Sequence, residues 1–206
     1  MNRKIASFTG IIGTTLFTLS FTINGCFQPG YNPVQNYISE LAIWSLGWIQ
    51  IVSFLILGVS IIFFSFGIRG TFHTGKASQA ASFLFLAIGI CYILSGLFVT
   101  DPQAMFDNQQ TLHGIIHGIA GALVFSLSAI SCFVLWWIFR IDKEWKPLSA
   151  FSFLAGVAMT ILIVLMKMGQ LQSGVLHDWA GAVQRCCLMF SYVLIFRISC
   201  KMRKVS

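Results

Sequence analysis

The sequence predicts an all-α polytopic membrane protein, one domain of six transmembrane helices with both termini cytoplasmic. Three observations lead there. Hydrophobic residues fill 57% of the 206 positions and charged residues only 9%, with a mean hydropathy of +0.83, a balance that no soluble core of this length requires. Six apolar stretches each approach the ~20 residues that a helix rising ~1.5 Å per residue needs to cross ~30 Å of hydrocarbon. The basic residues other than Lys167 and Arg185 recur on alternate connections, beside the same side of the bilayer.

The first span, 5–27, follows Arg3 and Lys4 and stops before Gln28, Pro29 and Gly30, residues suited to a turn. Within it Ile23-Asn24-Gly25-Cys26 loosely resembles a lipoprotein cleavage box, but the apolar run is long enough to stay as a helix. The second span, 43–68, is nearly unbroken from Ile49 to Phe64, whereas a barrel strand would carry polar residues at alternate positions. The third, 80–99, ends before Asp101-Pro102, and the fourth, 112–139, begins after Thr111 and ends at Arg140. The fifth, 148–166, lies between Lys146 and Lys167, and the sixth, 179–198, runs into Lys201, Arg203 and Lys204. Each must be helical, because lipid offers the backbone no hydrogen bonds. No linker, second domain or internal repeat is visible.

Arg3, Lys4, Arg69, Lys76, Arg140, Lys143, Lys146 and Arg197 border one side, which is therefore read as cytoplasmic. Their spread explains the net charge of +7 as a topology signal and excludes a nucleic-acid stripe. Membrane lipids, including anionic ones near the C-terminal cations, are the expected partners. His73 stands alone in the first cytoplasmic loop, and Asp107 belongs to an outer one. Trp44, Trp48 and Trp179 at outer helix ends and Trp136, Trp137 and Trp145 at inner ones read as aromatic belts. Six cysteines, mostly within spans, show no metal-type spacing or disulfide framework.

The remaining polar residues gather at the outer ends. His113 and His117 share one helix face with Cβ atoms ~5 to 6 Å apart and so can chelate one ion. His177 and Asp101 would complete a zinc set, the alternative being interfacial residues bonded to loops. Glu40 is a candidate general acid or base, with Asn32 and Asn36 as candidate substrate-binding residues and Ser39 as a secondary polar contact in a lid-like first loop. Alternatively Ser39 caps the second span and Glu40 complements its dipole. Arg185 lies ~10 Å past Asp178 along the sixth span. A charge at the bilayer centre costs at least ~2.5 to 3.5 kcal/mol, so it pairs with Glu40 or Asp101, receives an anionic group, or snorkels outward as Lys167 does.

Tyr31-Asn32-Pro33 through Ser39-Glu40-Leu41, Phe98-Val99-Thr100-Asp101-Pro102, Thr111-Leu112-His113-Gly114 with His117, and Gly181-Ala182-Val183-Gln184-Arg185 resemble, in order, the blocks of domain-of-unknown-function family 998. The resemblance covers almost the whole chain. It implies a prokaryotic six-helix protein of the inner (cytoplasmic) membrane and brings no established activity. The histidine, aspartate and serine set is also similar to that of alkaline-ceramidase-like membrane hydrolases, although there the paired histidines lie on the last helix. The expectation is a zinc-dependent hydrolase or transferase for a lipid-like substrate, the competing class a non-catalytic lipid-binding, transport or assembly protein.

Overall fold

A computed structural model describes residues 3–72, 75–102, 110–169 and 176–204. His73 and Asp107 lie outside the described residues. Six helices, α1 (Arg3–Phe27), α2 (Gly47–Ile68), α3 (Gly75–Leu97), α4 (Leu112–Ile141), α5 (Ser149–Gly169) and α6 (Ala180–Lys204), account for most of the chain. All six are long and apolar enough to cross a membrane, and the described residues include no strand. This is a multi-pass membrane protein.

Each helix packs on its chain neighbour, and α6 returns to α1 to close the ring. The termini thus share one end of the bundle, where the Ser7 hydroxyl donates to the Ser199 carbonyl at 2.7 Å. With no hydrophobic drive between helices in lipid, close packing and small residues must hold them together. Gly58 and Gly89 do so for α2 and α3: a Cβ on Gly58 would lie 2.7 Å from the Gly89 carbonyl oxygen, and one on Gly89 2.8 Å from that of Gly58. At mid-bundle Phe17 packs on Phe54 at 5.1 Å and on Tyr192 at 6.0 Å. The buried Tyr92 and Tyr192 hydroxyls satisfy one another at 2.9 Å.

Helix limits differ from the hydropathy limits for physical reasons. At the terminal end α3 starts at Gly75 and α6 continues to Lys204, because helical hydrogen bonding does not stop where the hydrocarbon does. At the distal end α2 starts only at Gly47, after a 3-10 turn over Ile38–Ala42. Ser39 therefore does not cap α2, whose N-cap is Leu46 without a side-chain bond, and Glu40 is not in its first turn. Trp145 is no belt residue either: it is fully buried, edge-on to Phe72 at 4.9 Å and stacked on Phe139 at 5.6 Å. Trp44, Trp48, Trp137 and Trp179 are exposed, as a belt requires.

Replacing Gly58 or Gly89 by Leu forces α2 and α3 apart, and we expect a loss of about 1 to 3 kcal/mol. Thermal unfolding in detergent measures this. The same change at Gly118, where an added Cβ meets nothing within 4 Å, should leave the midpoint nearly unchanged.

Candidate functional site

The connection between α1 and α2, loop 1, folds over the distal end of the bundle and is pinned to α6. The first amides of any helix lack intrahelical acceptors. Here loop carbonyls supply them, Gly181 N donating to Gln35 O at 3.1 Å and Ala182 N to Val34 O at 2.9 Å. One turn on, the Gln184 side-chain oxygen accepts from Ile38 N at 2.7 Å. Arg185 completes the clamp: its Nη1 donates to Asn36 O at 2.9 Å and to the Pro33 and Gly181 carbonyls, and its Nη2 to the Tyr31 hydroxyl. Such close approach requires glycine at 181, since a Cβ there would collide with the Asn36 and Pro33 carbonyls.

Arg185 is therefore bonded to neutral oxygens, not to Glu40 or Asp101. Hydrogen bonds from a charged group are worth about 1.5 to 3 kcal/mol each, enough in combination to offset placing the guanidinium part-way into the bundle. Asn32 and Asn36 also serve the loop: Asn32 Oδ1 accepts from Val34 N at 3.0 Å and Asn36 Oδ1 from Asn32 N at 2.8 Å. Lys167 is exposed at the end of α5, as snorkelling requires.

Beneath the loop lies a buried polar shelf. Glu40 Oε2 accepts from Asn36 Nδ2 at 2.8 Å, while Oε1 is buried without a partner. Burial raises the Glu40 carboxyl above its ordinary value, outweighing the Asn36 bond and the more distant Arg185. Asn24 on α1 and Gln50 on α2 are buried, with both amide atoms of each unpartnered. Phe17 against Phe54 sets a register that puts Asn24 within a turn of the level of Gln50. The sequence reading passed over this pair. Amides are rare enough inside spans to have been its signal.

The second polar unit joins α3 to α4. Both Asp101 oxygens are taken by Thr111, Oδ2 by its backbone N at 2.7 Å and Oδ1 by its hydroxyl at 2.8 Å. Thr111 in turn caps α4, accepting from Gly114 N at 3.1 Å. A Cβ at Gly114 would run into the Asp101 carboxylate. One turn deeper, His117 Nδ1 lies 3.1 Å from Ser95 O and 2.8 Å from Phe98 O. Both are acceptors at the end of α3, so Nδ1 carries the proton and Nε2 the lone pair.

The expected zinc set is not brought together. Asp101 is spent on Thr111, and His113 is exposed beside Phe98 at 5.3 Å. His177 sits in the 3-10 turn His177–Trp179, its Nδ1 buried and unpartnered. Among the described residues no three His, Cys, Asp or Glu side chains are grouped to hold a metal ion.

What the distal end does form is a cleft between α4, α5, α6 and loop 1, made of two cavities of about 100 and 40 Å³. Ser39, His117, Gly121, Phe125 and Gln184 line both. Thr100 and Lys167 add polar groups to the outer cavity, and Phe17, Phe54 and Leu188 give the inner one an apolar floor. An added Cβ at Gly118 or Gly121 meets nothing within 4 Å, so α4 leaves its side of the cleft open. Gly118 and Ala122 are exposed, so the cleft opens on the surface of the bundle.

Two outcomes follow from this geometry. Arg185→Gln removes the charge that gathers four oxygens, and amide hydrogen exchange across Tyr31–Ala42 should quicken by an order of magnitude or more, each lost bond being worth about 1.5 to 3 kcal/mol. For Glu40 the folded state binds its proton more tightly than the unfolded state. Its contribution is thus complete below the ordinary value of 4.5 and declines as pH rises from there through the raised folded value. Thermal midpoints followed from pH 4 upward should fall less steeply in Glu40→Gln than in the parent chain.

A family profile described as "Protein of unknown function (DUF998)" matches residues 11–200. No curated protein and no solved structure matches the chain. With its profile running from mid-α1 to the end of α6, the chain belongs to the DUF998 family of proteins of unknown function.

Proposed function

We propose that the protein binds a lipid-like amphiphile in the distal cleft, as a non-catalytic lipid-binding or transport component of a prokaryotic cytoplasmic membrane. The observation that carries this is the mixed lining of the cleft. Ser39, His117 and Gln184 stand beside Phe125 in both cavities, Thr100 and Lys167 join them in the outer one and Phe17, Phe54 and Leu188 in the inner one, and the opening lies between α4 and α5. A pocket mostly apolar with a few placed polar groups is the usual form of a small-molecule site. At about 100 Å³ the outer cavity suits a compact headgroup, with the chain leaving sideways into lipid.

A hydrolase or transferase acting on the same amphiphile is the second reading, favoured by one feature. The Nδ1 proton of His117 is fixed by two carbonyls, which leaves Nε2 as a proton acceptor in a cleft that Ser39 also lines.

Gly121→Leu places a side chain in the open part of the cleft and improves the helical propensity of α4, so the fold should survive. Lipids retained through purification in mild detergent, identified by mass spectrometry, should include a species that Gly121→Leu loses and Gly70→Leu, at an open position outside the cleft, keeps. An identical lipid complement in all three proteins would refute binding in the cleft. Turnover of the retained species by the parent chain, abolished in His117→Gln, would favour the second reading.

A further inference from the structure

We propose that the seam between α1 and α6 is a second lipid site, holding one phospholipid of net negative headgroup in the leaflet on the side of the termini. Two cavities lie along this seam. One of about 510 Å³ is lined by Lys4, Ile5, Phe8, Thr9 and Arg203. The other, of about 220 Å³, runs between Thr18 and Leu19 on α1 and Val193 and Phe196 on α6. Helix register places them one after the other along the seam. Ser7 meets Ser199 and Phe17 meets Tyr192, so Lys4 falls level with Arg203 and Leu19 with residues near Met189.

The groove has the chemistry of a phospholipid. Two cations stand at its terminal end, where an interfacial phosphate lies and each nearby charge adds to attraction for an anionic headgroup. From Lys4 to Leu19 the helix rises about 22 Å, a length that carries an acyl chain through one leaflet of a ~30 Å core. The walls are apolar despite their threonines. Three of the four lining threonines, Thr9, Thr14 and Thr18, turn the hydroxyl back onto their own helix, to Ala6 O at 2.9 Å, Gly10 O at 2.8 Å and Thr14 O at 2.8 Å. Ile5, Phe8, Leu19, Val193 and Phe196 are exposed along the same path. A second copy of the chain is a poorer occupant, because a twofold pairing through this seam sets Lys4 and Arg203 against their own counterparts.

The test is native mass spectrometry of the full chain in detergent, titrated with phosphatidylglycerol or phosphatidylcholine. We expect phosphatidylglycerol to bind about tenfold more tightly than phosphatidylcholine, and the Lys4→Gln, Arg203→Gln pair to weaken it by about ten- to thirty-fold. Lys143→Gln, Lys146→Gln, which removes equal charge elsewhere, should leave it unchanged. Val193→Trp and, from the other wall, Leu19→Trp should each displace the lipid, with thermal midpoints confirming the fold of both. Equal binding of the two lipids overturns the proposal, as does phosphatidylglycerol binding indifferent to both tryptophans, which would mean general surface attraction. A dimer dissolved by the tryptophans at constant lipid content would overturn it in favour of a second copy. None of these variants touches the distal cleft, so the two sites stand or fall separately.

Discussion

The distal half of the protein is organised by one costly group, the Arg185 guanidinium. Placed one and a half turns into α6 and half-covered by loop 1, it must find acceptors for fixed, always-charged donors. It finds them in the carbonyls of Pro33, Asn36 and Gly181 and in the Tyr31 hydroxyl. Because most of these belong to the loop, satisfying the charge folds the loop. The α6 amides and Gln184 then add bonds that only a loop in this position could make. A carboxylate partner would have neutralised the charge without fixing any backbone.

The cleft is a consequence of that folding. Pinning loop 1 across α6 carries the turn Ile38–Ala42 over the ring, so Ser39 comes to roof a space whose wall is His117. The Asp101–Thr111 unit performs the matching task on the opposite side, joining the end of α3 to the start of α4 through a carboxylate, a cap and a glycine. His117 belongs to both worlds. Its Nδ1 serves as a cap for the last carbonyls of α3, which have no intrahelical donor, while its other nitrogen is left over for whatever enters.

The six spans were legible because lipid permits few alternatives: a chain that must hide every backbone dipole inside long apolar runs has to be helical. The distal polar residues were legible as a group for the same reason, since charge at a helix mouth is conspicuous. Their roles were not. Spacing places His113 and His117 on one face, but cannot show that one ring rotates onto the α3 carbonyls while the other stays exposed beside Phe98. Nor can it show that Asp101 has both oxygens occupied by a residue ten positions on. Trp145 shows the same limit: its position at a helix end reads as interfacial, and only the fold-back of its loop onto Phe72 and Phe139 buries it.

The family blocks acquire a common meaning in the fold. Tyr31 to Leu41 and Gly181 to Arg185 are two halves of one contact, and Asp101, Thr111 and Gly114 are three parts of another, so most of the residues that look like a reactive constellation in sequence are spent on each other. A hydrogen-bonding group fully satisfied within the protein has little left to offer a ligand. The residues to follow are therefore those with capacity in reserve: His117 Nε2 and the Ser39 hydroxyl in the cleft, and Glu40 Oε1, Asn24 and Gln50 on the shelf beneath the loop. The first group faces the cleft and can act on a guest. The second is sealed under loop 1, where burial raises the Glu40 carboxyl and so ties the stability of the distal end to the proton on Glu40.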